Sequence, residues 1–329
     1  MGTGETTTDK LREPQSNEGY DPEEPSESNV GWRHALDQIK KDTTARIGFY
    51  IIAFILGVAI FAWIDAKLFD YAIASRFWYN PVNDPANAQI LLPPAGMEST
   101  FGSGTWKYPL GTDHRGRDIL VRLVYGTRIA MQVGIVSTGF GLIAGTLVGA
   151  VAGYHGGRVD DALMRLVETL YAIPFLVLVI AFMAAFGRDL TYAMIGVGIT
   201  TIPVFARLIR SRVVSVREEE YIEAARAAGV RDRNIILRHV IPNSFAPVLV
   251  QATLQVGISI LIVAGLSFLG FGAQPPTPSW GQMLNQSRGY MLPDPWFSLW
   301  PGIAILITVM GFNLLGDGLR DALDPRIKN

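Results

Sequence analysis

The chain has 329 residues, 49% hydrophobic and 17% charged, with a formal net charge of −1. Soluble domains run near a quarter charged, and here the deficit falls in several near-chargeless stretches of roughly twenty residues, the length that crosses a ~30 Å hydrocarbon core. An ordinary soluble domain is excluded, and the absence of cysteine excludes disulfides, thiolate metal ligands and thiol nucleophiles.

Residues 1–31 carry eight acids against Lys10 and Arg12 and are rich in Gly, Thr, Ser, Pro and Glu. Such a segment has almost nothing to bury, so it reads as a disordered acidic tail. It is the opposite of a basic n-region followed by an apolar core, which argues against a cleavable signal. Residues 32–45 read as an interfacial amphipathic helix: Trp32, Leu36 and Ile39 share a face beside Lys40 and Lys41. Residues 46–104 comprise a first span, near Ile47–Ile64, and a long polar loop. Residues 105–329 hold five more spans: about Ile129–Ala152, Leu166–Phe186 with Pro174 inside, Leu190–Ala206, Phe245–Phe271 and Phe297–Leu315. The fold class is therefore all-α integral membrane with six transmembrane helices.

Lys and Arg placement predicts the orientation. With both termini in the cytosol, cytosolic segments hold nineteen of the twenty-eight basic residues, eight of them between Arg207 and Arg238. Tyr71, Trp78, Tyr79, Trp280, Tyr290, Trp296 and Trp300 then flank the external boundary as an aromatic belt.

Within the second span Gly141, Gly145, Gly149 and Gly153 recur at intervals of four. On a helix they make a stripe without side chains, open to close approach by another backbone. Two readings stand: static helix packing, and a sliding contact in a moving transporter. Polar residues inside spans are few, namely Gln132, Glu168, Gln251, Gln255 and Asn313. They form no chain of acids of the kind an ion-coupled carrier uses, and Glu168 one turn from Arg165 predicts an ion pair at the membrane edge.

No Gly-x-x-x-x-Gly-Lys-Ser/Thr loop is present, so the chain should bind no ATP itself. His34, His114, His155 and His239 lack metal-ligand spacing. Asp113, His114 and Asp118 read as a loop held by Asp capping and by salt bridges with Arg115 and Arg117 rather than as a metal site. Asn285-Gln286-Ser287 matches a glycosylation sequon in a predicted external loop. Neither a catalytic constellation nor a resident cofactor is expected.

The segment 207–243 is charged and lies between two spans. Glu219-Glu220-Tyr221-Ile222-Glu223-Ala224-Ala225-Arg226-Ala227-Ala228 has strong helix-forming composition, and Gly229 is placed to end the helix with a positive φ. A second short helix is expected from Asp232 to about Val240, broken by Pro242. Ala224 with Ala228, and Ala225 with Gly229, give small-residue faces that suit close docking. The plainer reading is a hairpin that caps the bundle.

The pattern Glu223-Ala224-Ala225, three residues, Gly229, then Ile241-Pro242 resembles the "EAA" loop of ATP-binding-cassette importer permeases. His239 stands where that consensus usually has Ile. Five further blocks resemble the C-type permease of dipeptide and oligopeptide importers: Tyr108 to Asp118, Gly153 to Gly157, Leu266 to Gly272, Pro275 to Gly281 and Gly316 to Pro325. Their order matches over about 105–329.

The resemblance implies the type I importer permease fold in the cell membrane. It assigns ATPase coupling to Glu223, Ala224, Ala225, Ala228, Gly229, His239 and Pro242. It also implies a second permease subunit (a heterodimer), two ATP-binding subunits or domains that hold ATP and Mg, and an external substrate-binding protein; nucleic acid is not among the expected partners. The chain would supply half of a peptide pathway. The alternatives are a nickel or other small-solute permease, an ion-coupled secondary carrier, and a structural membrane scaffold.

Overall fold

The computed structural model describes residues 42–83, 85 and 89–323. The expected acidic tail and residues 32–41 of the expected interfacial helix lie outside these residues. The first long helix, α1 (Thr43–Leu68), starts where the Asp42 carboxylate accepts from the amides of Thr44 at 2.9 Å and Ala45 at 3.2 Å. A six-residue helix, α2 (Ala72–Phe77), and a two-stranded hairpin, β1 (Glu98–Ser99) with β2 (Gly102–Ser103), follow. Next comes α3 (Ile119–His155), capped by Asp118, whose 37 residues extend about 55 Å. It begins ten residues before the expected span because the charged side chains of its first turns face protein, not lipid.

The expected span Leu166–Phe186 is not one helix. It is the end of α4 (Gly157–Ala172) and all of α5 (Phe175–Phe186), bent by 89°. Pro174 has no N–H and disfavours helical backbone at the residue before it; Ile173 is extended at φ −79, ψ 126. The twelve residues of α5 reach only about 18 Å, so this pair is either one broken span or a re-entrant segment. Helix α6 (Leu190–Arg217) is capped by Asp189 and runs eleven residues past the expected end at Ala206.

The segment after α6 contains α7 (Glu220–Ala227), α8 (Asp232–Ile235), a π turn (Ile236–Val240) and α9 (Ile241–Asn243). Pro242 does not break this run. It lies in the first turn of α9, directly after the π turn. Then come α10 (Phe245–Phe268), α11 (Trp280–Ser287) and α12 (Trp296–Leu323). Five of these helices are long and apolar enough to cross a membrane, and the bent pair makes up to a sixth.

Glycines determine which helices touch. Helices α1 and α12 meet along Gly48, Gly311 and Gly318: a Cβ at Gly48 would lie 2.6 Å from the Leu315 amide nitrogen, and one at Gly311 2.7 Å from Ile51 Cγ2. In lipid such seams replace the hydrophobic drive with van der Waals contact. Between α3 and α10, mid-span polarity is satisfied by Thr138 and Ser259, whose hydroxyls lie 3.2 Å apart.

The described residues between 69 and 118 form a braced cap at one end of the bundle. The Asp65 carboxylate accepts from the amides of Ile73 at 2.9 Å and Ala74 at 3.2 Å, and from the Tyr125 hydroxyl. Asp113 accepts from the Arg115 and Arg117 amides and from Arg117 Nε at 2.8 Å, with Arg122 Nε 3.6 Å away. Arg122, fully buried, donates to the Pro81 carbonyl at 2.7 Å. His114 stacks between Tyr290 and Phe297, and its burial pulls its pKa down. Of the expected loop contacts, the Asp118 cap and the Arg117–Asp113 ion pair form, and Arg115 reaches Asp113 through its backbone amide. Asn285 lies in α11 rather than in a loop, and its amide donates to the Phe268 carbonyl at 2.6 Å.

Candidate functional site

Two features converge at the other end of the bundle: the glycine stripe of α3 and the segment that follows α6. Along the stripe α3 and α6 are nearly in backbone contact. A Cβ at Gly141 would fall on Thr201 Oγ1 and 2.8 Å from the Gly198 carbonyl oxygen. At Gly145 it would meet the Ile202 carbonyl oxygen and Phe205 Cβ, both at 2.7 Å. Gly149 faces the Ala206 carbonyl more closely still, and Gly153 faces that of Arg210 at 2.9 Å. All four stripe residues are buried.

The stripe ends where α3 ends, and there the charged segment is fastened. Arg217, in the last turn of α6, donates from Nη1 to the carbonyls of Gly153 at 3.4 Å and Tyr154 at 3.3 Å. These are carbonyls that a helix end leaves unsatisfied, and a cation there also suits the helix dipole. The Tyr154 hydroxyl donates to Asp232 Oδ1 at 2.6 Å, and the Arg226 guanidinium lies 5.5 Å over the Tyr154 ring. One tyrosine thus holds both helices of the hairpin, α7 through Arg226 and α8 through Asp232. Beneath it Ile222, Ile235, Ile236 and Val240 are buried against Ala150, Phe205, Ile209 and Val213. Burying such side chains stabilises by ~1.5–3 kcal/mol each, so the hairpin has an apolar foot of its own.

The opposite face of α7 is bare. Glu223, Ala224, Ala228 and Gly229 are exposed, as is Pro242, whereas Ala225 and His239 are half-buried. Ala225 packs on the apolar foot rather than outward, so the structure divides the sequence-derived small-residue set. The helix ends in a Schellman turn: Val230 N–H reaches the Ala225 carbonyl at 3.1 Å, and Gly229 N–H that of Arg226 at 3.0 Å. Gly229 has φ +77, and a Cβ added there would meet nothing within 4 Å. Glycine is needed there for its backbone, not for room.

Sequence reasoning missed Arg217, Tyr154 and Asp232. The signal available was Tyr154 immediately after the last stripe glycine, at the foot of a seam. The expected Arg165–Glu168 pair does not form: Arg210 of α6 pairs instead with Asp160 of α4, at 2.6 Å for Nε–Oδ1 and 2.5 Å for Nη2–Oδ2. The salt bridge ties the broken span to the α3–α6 unit near the same end.

Among known proteins, residues 145–329 match the family described as binding-protein-dependent transport system inner membrane component. The dipeptide transport system permease protein DppC of Alkalihalophilus pseudofirmus is 42% identical over 308 residues, 94% of each chain. The glutathione transport system permease protein GsiD of Pectobacterium atrosepticum is 45% identical over 257 residues, covering 78% of this chain and 84% of that one. The di/tripeptide transport system permease protein DppC of Pseudomonas aeruginosa is 41% identical over 240 residues, 73% of this chain and 78% of the relative. The fold also matches a chain of the inward-facing MetNI methionine ABC transporter, with TM-score 0.51 and 23% identity over 63% of this chain and 98% of that one. The chain belongs to the binding-protein-dependent transport system inner membrane component family: it is a multi-pass membrane permease subunit of an ABC importer, and not an enzyme.

Proposed function

We propose that the importer carries short peptides and that α7 is the helix through which this subunit receives the work of ATP hydrolysis. The observation that carries the second part is the pairing of a bare small-residue face with a fastened underside. A partner pressing on Glu223, Ala224 and Ala228 pushes a body that Tyr154, Arg217 and the buried isoleucines tie to the foot of the α3–α6 seam. A rim charge such as Glu223 is worth little by itself, so docking depends on shape.

In this reading two ATP-binding subunits or domains hold ATP and Mg on the cytosolic side, with both ends of this chain facing them. A second permease subunit supplies the other half of the pathway, and an external binding protein delivers cargo. The names of the relatives support a cargo of dipeptides or tripeptides, and the glutathione relatives extend the range to a γ-linked tripeptide. The test is uptake of a labelled dipeptide, a tripeptide and glutathione by the complete complex in proteoliposomes with its binding protein. Ala224→Trp should abolish uptake and the stimulation of ATPase activity by loaded binding protein, while insertion and pairing with the second permease persist. Full stimulation in that variant would remove α7 from the coupling path, and uptake of none of the three would overturn the cargo.

A further inference from the structure

A groove of about 430 Å³ runs between α1 and α3 at the end of the bundle that carries residues 69–118, far from the coupling segment. Its lining divides by depth. Lys67 and Arg128 stand at the mouth, level with the Asp65–Tyr125 contact that joins the two helices. Gln132 follows one turn deeper on α3. Below lie Trp63, Ile60, Ala59 and Leu56, so that the groove descends about 16 Å from Lys67 to Leu56 along α1.

The cations at the mouth are not neutralised by the described residues. Among the described residues no acid lines the groove, and neither Lys67 nor Arg128 has a carboxylate within salt-bridge distance. Among the described residues Arg128 reaches only the Tyr71 hydroxyl, at 3.4 Å, and its Nε is buried without a hydrogen-bond partner there. Gln132 is exposed although it lies inside a membrane-spanning helix. An exposed amide in such a segment, beside two cations that line the same groove, calls for a ligand.

We propose that the groove is a binding site for one anionic phospholipid of the leaflet on the side of residues 69–118. The phosphate sits between Lys67 and Arg128, Gln132 donates to an ester carbonyl just below it, and one acyl chain lies along Trp63, Ile60 and Leu56. The order of chemistries in a phospholipid, anion then ester then hydrocarbon, is the order of the lining residues with depth. Long cationic side chains at interface depth ordinarily reach for headgroups; here they flank a preformed channel for the tail. The occupant would brace α1 against α3 independently of what the importer carries.

The test uses the complete complex in nanodiscs of phosphatidylcholine with one-fifth phosphatidylglycerol, stripped to detergent and assayed for tightly retained lipid by native mass spectrometry. Wild type should retain one phosphatidylglycerol in preference to phosphatidylcholine. Lys67→Gln with Arg128→Gln should lower that retention about 10- to 30-fold, for two basic groups at a lipid phosphate. Ile60→Trp, which fills the tail channel and leaves the cations, should lower it as well. Equal retention in all three proteins overturns the site. So does unchanged lipid retention with a raised uptake KM in the double variant, which would give the cations to the carboxylate of the cargo.

Discussion

Gly145→Ala is the smallest change that tests the α3–α6 seam. The added methyl carbon would stand 2.7 Å from the Ile202 carbonyl oxygen and 2.7 Å from Phe205 Cβ. Ordinary contact begins several tenths of an ångström farther out, and neither neighbour is the free end of a flexible chain. Phe205 is fully buried, so it has no space to turn into. The helices must part, and stripe positions above and below lose contact with them. Overpacking of this kind costs ~1–3 kcal/mol, and alanine returns up to ~1 kcal/mol of helix propensity. A net loss of about 1–2 kcal/mol is expected, read as a lowered midpoint of thermal unfolding for the purified complex. The control is Gly139→Ala, on the same helix, where the methyl meets nothing within 4 Å. That change should be neutral or stabilising. Equal effects of Gly145→Ala and Gly139→Ala would refute the close contact.

Gly229→Val places a β-branched residue at φ +77, costing about 1–2 kcal/mol or more; uptake should fall, while Gly229→Asn, tolerated in that conformation, should keep most of it. Tyr154→Phe removes the 2.6 Å bond to Asp232, typically ~1–3 kcal/mol when the partner is charged; ATPase stimulation should weaken with the complex still assembled, and unchanged stimulation would leave the tyrosine a packing residue. Burial raises Asp118 from 3.8 to about 6 and Asp294 likewise to about 6. The folded protein therefore holds protons that the unfolded chain has released, and stability should fall as pH rises from about 4 to about 6. Asp118→Asn keeps the helix cap and should lessen that slope in unfolding measurements across the interval, leaving the part due to Asp294; an unchanged slope would contradict the burial effect. Because the chain has no cysteine, single cysteines at Ser103 and Leu292 should be labelled only from outside, and one at Arg231 only from the cytosol; mixed labelling would refute the proposed orientation.

The spans were legible because lipid demands long apolar runs, and Ile47–Ile64 sits squarely inside α1. Their ends were not legible. Arg122 and Arg128 look like loop residues in sequence, yet they lie in α3, where Pro81 and Tyr71 receive them. Those partners are 41 and 57 positions away, beyond any local pattern. Pro174 and Pro242 show the same limit from another side. Each removes one N–H, but at Pro174 the chain bends by 89°, whereas the helical run continues through Pro242, directly after a π turn. The four-residue glycine period was readable, while the α1–α12 seam was hidden because Gly48 meets Gly311 only after folding. In the segment after α6 the helix, its glycine stop and its small residues followed from local chemistry. Which alanines face out depended on Ile222, which anchors one side of α7 in the core.

Coupling through α7 requires that its bare face meet the ATPase. With no native cysteine to interfere, Ala224→Cys and Ala228→Cys can each be treated with a short thiol-to-amine cross-linker in the assembled complex. An adduct with the mass of this chain plus one ATP-binding subunit is expected at both positions, and none from Gly289→Cys at the other end of the bundle. Absence of that adduct from the two α7 positions, with the complex intact and both thiols reactive to a small maleimide, would contradict it.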